Sequence, residues 1–202
     1  AEDHDPNGPN PHRLRSCGLP APGVEIRIMN NANNTEVPTG EVGEIWVKSP
    51  QVMKGYWNNQ KATDESITSD GWFKTGDAGY KDDDGYIYIH DRVKDMIVSG
   101  GENVYPAEVE SALMSHPGIA DVAVIGVPDA KWGETVKAIV VKAAGVEVTE
   151  NEIIEFAKAN LAKFKCPTSV DWIDALPRNP SGKILKKDLR APYWEGRERM
   201  VN

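Results

Sequence analysis

No stretch of this sequence stays apolar for long enough to cross a bilayer, and the opening Ala1-Glu2-Asp3-His4-Asp5-Pro6 has neither the basic start nor the apolar centre of a secretion signal. A membrane-spanning helix is excluded and a cytoplasmic protein expected; peripheral membrane contact is left open. Cysteine is scarce: Cys17 and Cys166 lie too far apart for a metal knuckle and are too few for a disulfide framework, so both are expected to be reduced and structural. No metal site is expected from them. Basic charge is outweighed, with 31 acidic against 23 basic residues and a net charge of -8. That balance disfavours a surface that tracks nucleic-acid phosphates.

What is present suits a globular protein: 202 residues, 40% of them apolar, can bury one good-sized core or two small ones. Residues 1–13 hold Pro6, Pro9 and Pro11 among Asn, Gly and Asp without an apolar period, and are expected to be a disordered lead-in. Val24 to Ile28 and Gly43 to Lys48 alternate like half-buried strands, with a turn at Asn30 to Asn34. Asp82-Asp83-Asp84-Gly85 predicts a tight hairpin, so residues 14–91 are expected to be mostly β.

After Arg92 the pattern becomes strand, helix, strand, strand, helix, strand. Met96 to Val98 predicts a short strand, and Pro106 opens a helix whose Val109, Ala112 and Leu113 share a face. The β-branched runs Asp121 to Val127 and Thr135 to Val141 suit a buried sheet, and Thr149 with Glu152 forms a capping box for a helix through Leu161. Val170 to Ile173 predicts a last strand. The fold class is α+β: a β-rich piece, then a small α+β domain over 96–202 with a short mixed sheet flanked by helices.

Four segments have compositions unlike ordinary loops. Gly71-Trp72-Phe73-Lys74-Thr75-Gly76-Asp77 leaves a carboxylate beside a glycine, and an ionised Asp can accept two hydroxyl donors, which suits a ribose diol. A surface turn is the plainer reading of that segment alone. His90-Asp91-Arg92-Val93-Lys94-Asp95 sits at the junction of the two halves, where a charged run is commonly a solvated linker. Ser99-Gly100-Gly101-Glu102-Asn103 permits unusual backbone angles and close approach of a thin ligand, or makes a simple turn. Pro177-Arg178-Asn179-Pro180-Ser181-Gly182-Lys183-Ile184 stiffens a loop that presents Lys183; it is not a phosphate-binding P-loop, since the spaced first glycine is absent and Ile184 stands where Ser or Thr should follow.

Taken in order, these segments resemble the adenylate-forming superfamily of AMP-forming acyl-CoA synthetases, adenylation domains and luciferases, over about Leu14 to Arg190. The stretch from Arg15 to Val24, Gly55-Tyr56-Trp57, Trp132-Gly133-Glu134 and Phe164-Lys165-Cys166-Pro167 also fit. The resemblance implies that Asp77 and Arg92 bind the ribose, that Lys94 is the hinge within residues 92–95, and that Ser99, Gly100 and Gly101 line a pantetheine tunnel. It implies that Lys183 is the catalytic lysine of adenylation. On the same resemblance, residues 14–91 are the last subdomain of a larger adenylation domain, and 96–202 are the mobile C-terminal domain that alternates between two orientations.

The family's Ser/Thr/Gly-rich phosphate loop and its Tyr-Gly-x-Thr-Glu motif are absent from these residues. The chain is therefore expected to be the C-terminal part of a longer enzyme, inactive alone. The implied activity is an ATP-dependent carboxylic acid:CoA ligase, with fatty acid the leading substrate, ATP/AMP and CoA as nucleotide partners, and Mg2+ held mainly outside these residues. Aromatic or steroid-derived acids, an adenylation domain that loads a carrier protein, and a non-catalytic binding module are the alternatives. The oligomeric state stays open.

Overall fold

The alternation read over residues 24–48 becomes a hairpin in which β1 (Glu25–Met29) pairs antiparallel with β2 (Gly43–Lys48), Ile28 opposite Ile45. The structure, a computed structural model, describes residues 5–197. The chain divides into two compact units, Ala1–Val93 and Lys94–Asn202. Among the described residues no helix is long and apolar enough to cross a membrane.

In the first unit, β3 (Phe73–Lys81) and β4 (Ile87–Arg92) extend the hairpin into a four-stranded antiparallel sheet in chain order. The Asp-Gly signal is realised: Asp82 O accepts from Gly85 N, its Oδ1 accepts from Tyr86 N, and Gly85 takes φ +86°. One sheet face buries Ile28, Ile45 and Ile87, the other Met29, Trp46 and Trp72. Period two along each strand places these sets on opposite sides.

Two features differ from expectation. Helix α1 (Gln60–Ser66) interrupts the β-rich region; it buries no residue and so has no apolar period, and its one local sign is Asn59, whose side chain accepts from Ala62 N. The described part of the lead-in is ordered: Pro11–Arg15 form a 3-10 turn, Arg13 lies 4.3 Å from the Tyr86 ring centroid, and its Nη2 pairs with Asp84 at 2.6 Å. Proline-rich composition predicted disorder there, and one arginine with two long-range partners overrides it. Residues 1–4 lie outside the described residues.

The second unit is built on a mixed sheet in the order β6-β5-β8-β7, with β9 (Ser169–Trp172) parallel to β8. Its strands are β5 (Ile97–Ser99), β6 (Glu102–Val104), β7 (Ile119–Asp129) and β8 (Gly133–Lys142). Val122 and Val124 of β7 face a core with Val109 and Leu113 of α2 (Pro106–Leu113) and Ile153 and Ala157 of α3 (Glu150–Asn160). Ala123, Ile125 and Val127 face a second core with Leu189 of α4 (Lys186–Trp194). A strand covered on both faces needs apolar residues at every position, which is why the β7 sequence reads as a continuous run rather than an alternation.

The capping box forms as expected, with Thr149 Oγ1 accepting from Glu152 N and the Glu152 carboxylate accepting from Thr149 N. Helix α4 was not foreseen. It contains Pro192 and buries only Leu189, with Tyr193 packed beside it, and polar contacts add to its hold. Arg190 pairs with Asp95 and Lys186 with Glu110, while the Trp194 indole donates to Gly126 O. The Tyr193 hydroxyl donates to Asp171, which also pairs with Lys137 at 2.7 Å.

Candidate functional site

Asp77 and Arg92 are brought together by strand register. They stand opposite each other on β3 and β4, and Arg92 Nη1 donates to Asp77 Oδ1 at 2.8 Å. Both remain accessible, at 28% and 52% side-chain exposure. The backbone beneath them is fixed from β2. The Glu44 carboxylate accepts from Gly76 N through Oε1 and from the Trp46 indole through Oε2, both at 2.9 Å. Thr75 Oγ1 donates to Ile45 O at 2.7 Å and accepts from Asp77 N. Gly76 takes φ +71°, a conformation that costs glycine little. The result is a carboxylate and a guanidinium side by side on a rigid strand pair, a set of acceptors and donors suited to a vicinal diol. Glu44, the strut under this pair, has no local sequence signal because its partner is 32 residues away.

In the second unit, Ser99 and Glu102 pair across a two-residue turn formed by Gly100 (φ +60°) and Gly101 (φ +89°). Two positive φ angles in succession make the tight hairpin turn that favours glycine at both positions. Gly100 N donates to Trp132 O at 2.9 Å, and a Cβ on Gly100 would lie 2.7 Å from the Trp132 ring. At Gly101 a Cβ would meet nothing within 4 Å.

Ser99 and Gly100 line a groove of about 510 Å³ together with Trp132, Lys163, Phe164 and Thr168. Gly101, at the tip of the turn, is outside that lining. Trp132 is positioned by Asp129, whose Oδ1 accepts from Trp132 N and Lys131 N at 2.8 Å each. Those two N–H groups hold the Asp129 carboxyl below its ordinary pKa. The other wall is fixed by Lys165, which pairs with Glu108 of α2 at 2.7 Å. Cys166 is buried and burial raises its thiol pKa, whereas Cys17 is exposed.

Lys183 sits elsewhere in the second unit, on the hairpin loop before α4. Asn179 organises this loop: its Oδ1 accepts from Lys183 N and Ser181 Oγ at 2.8 Å and from Ser181 N at 3.1 Å, while Asn179 N donates to Lys183 O at 2.9 Å. The Lys183 side chain is exposed, and its ammonium has no ion-pair or hydrogen-bond partner among the described residues. Lys94 is exposed in a 3-10 turn, Val93–Asp95, next to the Asp95–Arg190 pair. Among the described residues no group of three or more His, Cys, Asp or Glu side chains is disposed to hold a metal ion.

Comparison with known proteins identifies the family. Residues 4–57 match the AMP-binding enzyme family, and residues 108–183, ending at Lys183, match the AMP-binding enzyme C-terminal domain. A fatty acid–[acyl-carrier-protein] ligase, ScoC of Streptomyces coeruleorubidus, is 46% identical over 94% of this chain and 36% of its own length. The long-chain-fatty-acid–CoA ligase FadD13 of Mycobacterium tuberculosis is 54% identical over 75% of this chain and 30% of its own. The o-succinylbenzoate CoA synthetase MenE of Bacillus subtilis, solved with the acyl-adenylate intermediate OSB-AMP, superposes with a TM-score of 0.81 at 44% identity, covering 88% of this chain and 36% of that one. The chain thus spans about a third of the length of the relatives it matches. It belongs to the AMP-binding enzyme family, and its second unit carries that family's C-terminal domain.

Proposed function

We propose that this chain supplies the ribose-binding pair, the adenylation lysine and the thiol groove of an ATP-dependent, AMP-forming carboxylic acid:CoA ligase, with a fatty acid as the acid. The observation that carries this reading is Lys183: an exposed ammonium without a partner among the described residues, on a loop whose backbone is tied at Asn179.

A free carboxylate is anionic and has no usable leaving group, so the acid is first joined to AMP with loss of pyrophosphate. Negative charge then crowds between the carboxylate and the α-phosphate. An ammonium directed at both oxygens stabilises that transition state more than the ground state, and an ammonium already committed to an ion pair could not. Asp77 accepts the ribose hydroxyls while Arg92 holds the carboxylate in place and donates beside it. In the second half-reaction the thiol of CoA displaces AMP, and the groove beside Ser99 and Gly100 is the channel for its pantetheine arm. The lysine loop and the glycine turn are separate features of the second unit, so each half-reaction draws on its own part, with Lys94 as the turning point. Mg2+ accompanies ATP in such chemistry, and the described residues offer it no cluster of three or more His, Cys, Asp or Glu ligands.

Loading of a carrier protein is the second reading, supported by the 46% identity to the acyl-carrier-protein ligase ScoC. Both acceptors present a pantetheine thiol.

The test uses the complete enzyme. Lys183→Ala lowers acid-dependent ATP–pyrophosphate exchange roughly 100- to 1,000-fold while sparing thioester formation from supplied acyl-adenylate. Equal loss in both assays rejects the assignment. Offering CoA and a phosphopantetheinylated carrier in parallel, across fatty and aromatic acids, decides the acceptor and the acid.

A further inference from the structure

The lysine side chain has four rotatable bonds and is exposed, so its own contacts do not aim it. Aim must come from the backbone. The Asn179 hydrogen bonds run between residues of the same loop; they set its shape but do not fix where it stands over the sheet. Arg178 makes that connection. Its Nη1 donates to Gly182 O, the carbonyl immediately before Lys183, at 2.8 Å, and its Nη2 donates to Asp121 Oδ2 on β7 at 2.6 Å. Asp121 is itself oriented, since its Oδ1 accepts from Val122 N at 3.0 Å.

We propose that Arg178 and Asp121 are positioning residues for adenylation, clamping the backbone on the amino side of Lys183 to strand β7. This inference rests on the role given to Lys183 above and adds two residues to it. Burial argues against a purely structural purpose. The Arg178 and Asp121 side chains are 43% and 33% exposed, and ion pairs that accessible contribute little to stability. A planar guanidinium with two forked donors can hold a carbonyl and a carboxylate together, which a lysine's point charge cannot do in the same geometry.

The test again uses the complete enzyme. Arg178→Ala and Asp121→Asn each lower the kcat of ATP–pyrophosphate exchange about tenfold, because a displacement of about an ångström at a catalytic group is costly, with the KM for ATP within about twofold. Thioester formation from supplied acyl-adenylate and the melting temperature stay near the parent values. Arg178→Lys recovers only part of the loss. In a Lys183→Ala background, adding Arg178→Ala lowers exchange no further, because a residue that acts only through the lysine has nothing left to position. Additive loss in the double variant, or an equal fall in both half-reactions, overturns the proposal. If Lys183→Ala abolishes exchange while Arg178→Ala leaves it normal, the positioning role fails and the lysine assignment stands. If Lys183→Ala leaves exchange intact, the functional reading itself fails.

Discussion

Each unit holds an arginine–aspartate pair of nearly the same length in a different setting. Arg92–Asp77 in the first unit measures 2.8 Å with side chains 52% and 28% exposed; Arg190–Asp95 in the second measures 2.7 Å with side chains 13% and 14% exposed. The chemistry is the same, and solvent decides what it is for. In water an ion pair gains little, so its members remain available to a ligand; out of water the members depend on each other, because either one left alone is a poorly solvated charge. One pair is suited to recognition and the other to cohesion.

The largest effect expected from this contrast is on folding. Asp95→Ala leaves the Arg190 guanidinium shielded and unpaired, and should cost roughly 3 kcal/mol in urea unfolding of this chain. The matching change in the first unit, Asp77→Asn, should cost under about 1 kcal/mol. A similar midpoint shift for both would break the comparison.

Function should show the reverse order. In the complete enzyme, Asp77→Asn is expected to raise the KM for ATP about tenfold, the scale of a lost charge-assisted hydrogen bond. Unchanged ATP dependence would remove Asp77 from the nucleotide site.

The smallest effect is confined to alkaline pH. Burial, and then the Asp171 carboxylate, push the Tyr193 hydroxyl from its ordinary value of 10.0 up to about 12. A group whose pKa is higher when folded contributes stability that is complete below the unfolded value and lost as pH rises through the folded one. The native state should therefore weaken between about pH 10 and 12. Tyr193→Phe should remove that part of the decline, at a cost of about 1 kcal/mol near neutrality. An identical pH profile in the variant would show that Asp171 and Tyr193 are not coupled in solution.

Much of this architecture was legible in the sequence, and the gaps have physical causes. β7 and β8 announce themselves because both sheet faces are buried, and the Asp82–Gly85 turn and the Thr149–Glu152 cap are local signatures that later structure leaves alone. α1 buries nothing and β6 is three residues long, so neither shows an apolar period, and in α4 Pro192 interrupts the helical signal of the Leu189 and Tyr193 face. Asp77, Arg92 and Lys183 were singled out by resemblance, and no residue pattern alone would have chosen them over ordinary turn and linker residues. Glu44 and Arg178 stayed hidden because their partners lie 32 and 57 residues away, a separation that only the folded sheets close.

The shielded Arg190–Asp95 pair also has a mechanical meaning. Asp95 directly follows Lys94 and is fastened to α4, the helix that begins three residues after Lys183. Under the hinge role proposed for Lys94, a change in its backbone angles would not be absorbed by slack in the next residue but would pass to the helix like torque through a keyed shaft. If Lys94 turns as proposed above, the angle turned at that one residue would set the displacement of the ammonium carried on the loop before α4.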